Sequence, residues 1–345
     1  MNQNSTTQAS PAAESVFRGA TDLRRVRAVA TGEYAWIWHA TAVLFVISAV
    51  IAPGTLARSS LLAMLPFAGI LAIVSTGQTM VIQQRGLDMS SAGVVSLGGV
   101  AMAILSASTG SVLLGAGLAV LLGAVVGVVN GLLVTRINIT PLIATLAVNA
   151  VVIGAVRSLT GNAPIAVAPS VQTFSHALIG GLPCSLLLAV GFVLVAWLVM
   201  RKTSTGRCFV AVGVNPRSAE AAGLRVTFYQ IGAYVASGVC FAVGGILLAG
   251  FIGNASHTAG EDYLLPAIAA VVVGGTPFTG GRGSVVASAI AALFMAQLGQ
   301  MVLALGAGVA VQLLVQAATI VTATAIRFLP HLLAWMQKRL APTWH

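Results

Sequence analysis

The chain has 345 residues, of which 58% are hydrophobic and 7% charged. A soluble domain needs about 25% charged residues to coat its surface, so a single water-facing core is excluded, and the apolar content excludes intrinsic disorder. Mean hydropathy of +0.98 and a net charge of +10 point to a chain whose surface is mostly lipid-facing, with basic residues left for the aqueous ends.

Residues 1–34 begin MNQNSTTQASPAAES and hold Arg18, Arg24, Arg25 and Arg27. No apolar run precedes Ala35, so this stretch does not have the form of a signal peptide. It reads as a disordered, basic cytoplasmic tail, with the arginines near anionic headgroups. Each span then needs about 20 apolar residues. Ala35–Pro53 is the first, anchored by Trp36 and Trp38, and Leu61–Gln83 the second. The charge-free run from Met89 to Thr135 is split by SASTGS at 106–111 into the third and fourth. Ile139–Val156 is the fifth; a loop over 158–182 leads to the sixth at 183–200. Phe228–Ile252 is the seventh and Leu264–Gly275 a short eighth. Gly306 and Gly308 divide the uncharged 283–326 run into the ninth and tenth, and a cytoplasmic tail covers 328–345.

The expected fold is therefore all-α, a polytopic membrane protein of about ten transmembrane helices with both termini cytoplasmic. The membrane domain occupies 35–327. The positive-inside rule supports that count, because alternating from an inner N-terminus leaves only Arg58 and Arg157, of 17 Lys and Arg residues, outside. The basic residues are spaced singly between apolar runs, which gives no nucleic-acid-binding face. Cys184, Cys208 and Cys240 lack metal-site or disulfide spacing and read as small packing residues.

Some segments depart from plain apolar spans. Gly86-Leu87-Asp88-Met89-Ser90 and Gly260-Glu261-Asp262-Tyr263 each put an acid before an apolar run ending in Gly-Gly. One falls at the inner face and one, with Glu261 and Asp262, at the outer. An inverted five-plus-five repeat would produce this pattern, and so would chance. Asp88 with Ser90 and Ser91 is placed to cap the third span. Gly123, Gly127 and Gly131 form a small-residue face for close helix packing. Polar residues within spans are Gln78, Asn130, Asn149, Gln297, Gln300, Gln312 and Gln316. They suit either a path for a neutral polar solute or hydrogen bonds between helices, the commoner role. With no acid, Lys or His expected mid-span, a proton- or sodium-driven carrier is disfavoured.

The longest cytoplasmic loop, 201–227, contains VNPRSAEAAG. Asn215 suits an N-cap, Pro216 the first helical position and Gly223 the C-terminal closure. Two turns do not persist alone in water. Such a helix needs something to dock against; spacing alone equally allows a solvated loop. No phosphate-binding G-x-x-x-x-G-K-[ST] or catalytic G-x-S-x-G or H-E-x-x-H occurs. The residues thus describe a membrane conduit without an energy source of its own, with no catalytic, cofactor or metal residues expected.

Three stretches resemble the ribose-type permeases of ABC importers. GLDMSSAGVVSLGG (86–99) resembles their G-[IF]-D-L-S-V-G-S segment. TGRCFVAVGVNPRSAEAAGLRV (205–226) resembles their T-x-x-G-R-x-x-x-A-x-G-x-N loop, and 258–293 their G-G-x-S-x-x-G-G-x-G segment. The resemblance covers nearly everything after residue 60. It implies an inner-membrane subunit carrying a monosaccharide, working with two ATPase subunits, a second permease (identical or not) and a periplasmic or lipoprotein sugar-binding protein. It also implies that Asn215, Pro216, Arg217, Ser218, Ala219, Glu220, Ala221, Ala222 and Gly223 form the helix that couples to the ATPase. Gln78, Asp88, Ser90, Asn130, Asn149, Gln297, Gln300, Gln312 and Gln316 are the path candidates. Relatives of this fold also carry sugar alcohols, quorum-signal furanoses, nucleosides and branched-chain amino acids, and a stand-alone facilitator is the alternative outside the class. Met-Ser-Ser after Asp88, Asp262-Tyr263-Leu264 and Thr276-Pro277 depart from the family pattern.

Overall fold

The computed structural model describes residues 34–340, with side chains through Ala325. The expected tail of residues 1–34 lies outside the described residues apart from Tyr34, as do 341–345. The helices are α1 (Ala35–Ile51), α2 (Arg58–Gln83), α3 (Ser91–Thr109), α4 (Val112–Thr135), α5 (Pro141–Thr160), α6 (Pro169–His176), α7 (Cys184–Lys202), α8 (Ser204–Val214), α9 (Pro216–Ala221), α10 (Val226–Ile252), α11 (Glu261–Gly274), α12 (Val285–Ala304) and α13 (Val309–Leu340). Seven of them, α2, α3, α4, α5, α7, α10 and α12, are long and apolar enough to cross a membrane. The shorter α1 and the Val309–Ala325 stretch of α13 are also apolar. The architecture is all-α and polytopic.

α10 stands at the centre, packed on α2, α3 and α4. Along the seams with α3 and α4, backbones come into contact. A methyl group at Gly123 would strike the Gly238 carbonyl, and one at Gly238 would strike that of Gly123. At Gly127 it would meet the Tyr234 carbonyl and at Gly131 the Ile231 Cα, at 2.9 Å. On α3, a Gly98 methyl would lie 2.5 Å from the Ala242 carbonyl. The small-residue face read on the fourth span thus lies directly against the α10 backbone, with Gly238 opposite Gly123. Close approach of this kind replaces the hydrophobic drive that is missing between helices in lipid.

Several expectations are corrected. The 201–227 stretch is mostly helix: Thr203 breaks the chain after α7, and its hydroxyl accepts the Gly206 amide (3.1 Å) to start α8. Its charges flank an apolar FVAVGV core (209–214), which buries Phe209, Val212 and Gly213. The fifth span runs to Thr160, beyond Val156. The 158–182 loop holds α6 and a hairpin, Leu178–Ile179 against Leu182–Pro183; Ile165–Ala166 pairs antiparallel with Asn254–Ala255. Apart from these corrections, α13 runs as helix to Leu340, into the stretch expected as a tail. The start of α11 is not level with Thr109, the far end of α3. The Gly260 amide donates to Ser96 Oγ (3.0 Å), beside the second turn of α3, and Glu261 and Asp262 are exposed there.

Candidate functional site

The break between α2 and α3 holds the most polar interior of the bundle. α2 ends in a Schellman turn: Arg85 N–H bonds the Ile82 carbonyl (2.9 Å) and Gly86 N–H the Val81 carbonyl (3.0 Å). Arg85 occupies the left-handed position, φ 63°, where Gly is usual. Leu87–Ser90 then crosses the interior without helix. Two α5 residues one turn apart take up its free amides. Met89 N–H donates to Thr145 Oγ1 (2.9 Å) and Gly93 N–H to Asn149 Oδ1 (2.8 Å).

Asp88 is fully buried at the centre of this break. Its Oδ1 accepts the Ser90 amide (3.0 Å), the Ser90 hydroxyl (2.6 Å) and the Asn130 amide (3.4 Å); its Oδ2 accepts the Ser237 hydroxyl (2.6 Å). Asn130 Nδ2 also reaches Ser90 Oγ at 2.8 Å. This revises the expected cap. Ser90 is the N-cap of α3 and makes no side-chain capping bond; Asp88 instead ties α3 to α4 and α10. It also revises the expectation of no acid among the spans, since Ser237 lies near the middle of α10. A buried carboxyl group requires such partners, since leaving one of its oxygens unpaired costs about 1–3 kcal/mol.

The other path candidates separate from this cluster. Gln297 Nε2 donates to Ser48 Oγ (3.0 Å) and Thr55 Oγ1 (3.2 Å), and Gln300 Nε2 to the Ser60 carbonyl (3.1 Å). Both tie α12 to the first helices, as interhelical bonding predicts. The Gln312 amide packs on Gly299 of α12, with Gln316 close to the same glycine. Gln78 is buried on α2, its amide without a hydrogen-bonding partner among the described residues; the Ser75 hydroxyl one turn away is in the same state. Ser237 and Thr145 were not anticipated: each is a lone hydroxyl in an apolar run, and its partner is remote in sequence.

α8 and α9 form a second site beside the first. Asn215 Oδ1 accepts the Ser218 amide (3.2 Å), Pro216 opens α9, and Gly223 (φ 83°) closes it with Leu224 N–H on the Ala219 carbonyl (3.0 Å). Arg217, Ser218, Glu220, Ala221 and Ala222 are exposed and only Ala219 is buried, so α9 offers nearly its whole surface. α8, in contrast, is clasped to the end of α2. Gln84 Nε2 donates to the Phe209 carbonyl (2.7 Å) and Arg85 Nε to that of Gly213 (3.0 Å), while Arg85 Nη2 donates to Val214 O. From the other side, the Gly281 amide donates to the Gln83 carbonyl (2.9 Å). A cavity of about 240 Å³ opens beside the clasp, lined by Gln84, Arg85, Thr135, Asn138, Gln230 and Tyr234 among others. Neither Gln84 nor Arg85 is singled out by the sequence alone. The polar run Gln83-Gln84-Arg85 before Gly86 was the available signal.

A bundle of apolar helices with a buried polar break, and a capped helix presented beside it, is the form of a membrane permease. Residues 60–324 match the family described as branched-chain amino acid transport system / permease component. The chain belongs to that family. It is 34% identical to the ribose import permease protein of Bacillus subtilis (strain 168) over 287 residues, 82% of this chain and 89% of that protein. It is 31% identical to the galactofuranose transporter permease protein of Escherichia coli (strain K12), over 65% of this chain and 66% of that one. With the autoinducer 2 import system permease protein of the same strain the figures are 32%, 66% and 71%. No solved structure matches the chain. The protein is thus a transport permease subunit, not an enzyme, and a multi-pass protein of the inner membrane.

Proposed function

We propose that this chain forms the translocation path for a monosaccharide in an ATP-binding-cassette importer. An extracytoplasmic binding protein delivers the sugar, a second permease completes the path, and two ATPase subunits drive it. The single observation that carries the energy-coupling half is α9, a capped helix exposed on nearly every side yet backed by the clasped α8. Two turns held in this way are a docking element, with Asn215–Gly223 as the coupling residues. The sugar half rests on the ribose import permease, which matches 82% of this chain. A nucleoside, sugar alcohol, furanose signal or branched-chain amino acid is the second reading, and the ligand of the cognate binding protein decides between them.

In this reading the chain crosses the membrane ten times with both ends cytoplasmic. The seven long helices, α1, the Val309–Ala325 stretch and the 14-residue α11 supply the crossings. α3 and α11, each begun by a G-x-D motif and lying side by side at their starts, are the corresponding elements of the two inverted halves. Asp88, Ser90, Asn130 and Asn149 line or support the path, and Gln297 and Gln300 hold its wall. Gln78, Gln312 and Gln316 remain candidates of the wall.

The test is affinity capture of the tagged chain from its native membrane in mild detergent, with mass spectrometry of what accompanies it. A P-loop ATPase is expected with the parent chain and is lost with Glu220→Lys or Gly223→Pro. A chain that purifies alone and passes ribose down a gradient in liposomes is a facilitator, and α9 then has no coupling role.

A further inference from the structure

Between α9 and the buried Asp88 there is one covalent and hydrogen-bonded route that is short. α9 begins at Pro216, directly after Gly213 and Val214. The carbonyls of those two residues end α8, and both are held by the guanidinium of Arg85. Cations suit such a helix end, where unpaired carbonyls concentrate negative potential. Arg85 is three residues from Asp88, in the turn that ends α2. The backbones leave no slack: a methyl group at Gly213 would strike the Gln83 carbonyl, and one at Gly281 would lie 2.7 Å from the Val214 Cα. Arg85 itself takes a left-handed conformation, where its side chain carries a penalty that Gly would not. A Schellman turn alone asks for Gly at this place. The structure keeps an arginine there because its fork reaches two carbonyls at once, which no smaller residue spans.

We infer that Arg85 is a positioning residue that transmits displacement of α8–α9 to the Asp88–Ser237–Asn130 cluster, so that movement at the cytoplasmic helix opens or closes the break between α2 and α3. The clasp is a push-rod: one end on the α8 terminus, the other in the backbone that carries Asp88. α10 also meets α8, where Phe209 shares a buried apolar cluster with Ala233 and Tyr234, but that contact is made by side chains that can change rotamer, whereas the Arg85 fork grips the α8 carbonyls directly. This inference rests on the reading of α9 as the element a partner displaces, and its test is chosen to need no partner.

The test is a double-mutant cycle read by hydrogen–deuterium exchange of the purified full chain in detergent. Asn215→Ala removes the α9 cap and serves as the displacement. In the chain with Arg85, it is expected to raise exchange at residues 87–93 by about threefold or more, the fold-change that a coupling at the low end of measured side-chain couplings implies. In R85Q the same cap removal is expected to leave exchange at 87–93 unchanged, although α9 itself still loosens. A general loss of rigidity in R85Q shifts its starting level and not this difference. If R85Q is not monodisperse, R85K carries the test: it keeps the charge but not the fork, and the rise at 87–93 is expected to fall to half or less. An equal rise in the Arg85 and variant backgrounds, or none in either, overturns the inference. Co-purification of an ATPase with the parent chain is scored separately, so failure of the link and failure of the coupling reading are told apart.

Discussion

A carboxylate taken out of water needs donors around it or it loses its charge. Asp88 has them from three sides: its own turn, Asn130 on α4 and Ser237 on α10. Removing one member leaves at least one polar atom of another buried without its partner, so the cluster behaves as a unit. Ser237→Ala and Asp88→Ala are each expected to cost about 1–3 kcal/mol of stability, Asp88→Ala the more because it strands donors on two helices, read by thermal unfolding in detergent. The double variant is expected to be no less stable than Asp88→Ala alone, and full additivity would show that the two do not share one network. At this scale, sequence made Asp88 visible as an acid at a helix start. It could not supply the partner, because Ser237 is 149 residues away and looks like any serine in an apolar run. The partners of the polar glutamines are equally remote: Gln297 and Gln300 reach Ser48, Thr55 and Ser60, 240–249 residues away in the chain.

Elements were legible where their ends are written in local chemistry. Asn215, Pro216 and Gly223 fix α9 within a few residues, because capping is decided by near neighbours. α8 was missed because the charges at 201–207 mark a cytoplasmic loop, whereas its helix is held by carbonyl contacts from Gln84 and Arg85. The glycine seam was half legible: GxxxGxxxG on α4 is explicit, but α10 answers only Gly123 with a glycine, Gly238, while Gly127 and Gly131 lie against the backbone of Tyr234 and Ile231. Gly238→Ala and Gly245→Ala are expected to destabilise by about 1–3 kcal/mol or more, since each methyl meets a fixed carbonyl, of Gly123 or Val95. Gly117→Ala and Gly154→Ala, also within spans but open around the Cβ, are expected to be neutral or slightly stabilising. The same melting experiment reads both sets, and a loss of equal size in the two would mean that glycine is needed for something other than close approach.

For the whole molecule, hydropathy and charge sufficed for an all-α polytopic chain, because lipid admits few alternatives. They did not place the start of α11, whose position depends on Gly260 meeting Ser96 across the bundle. The ten-crossing topology has a direct check. With Cys208→Ser as background, Ser108→Cys and Ser170→Cys are expected to react with an impermeant maleimide on intact cells, and Ile137→Cys and Ser218→Cys only after permeabilisation. Labelling of Ser108→Cys and Ser218→Cys from the same side would remove or add a crossing. The seams around α10 bear on how such a molecule can move at all. Where carbonyls rest in the space a methyl would fill, there is no layer of rotamers to yield, and sliding would require backbones to climb over one another. α10 with α3 and α4 is therefore a single rigid block, like a mast with its stays. Any alternation between inward and outward access must be hinged outside this block, where side chains such as Thr79 of α2 and Ser288 of α12 meet as pairs that can be exchanged. A transporter built this way changes state by swinging a beam, and its slowest step is set by what that beam leans on.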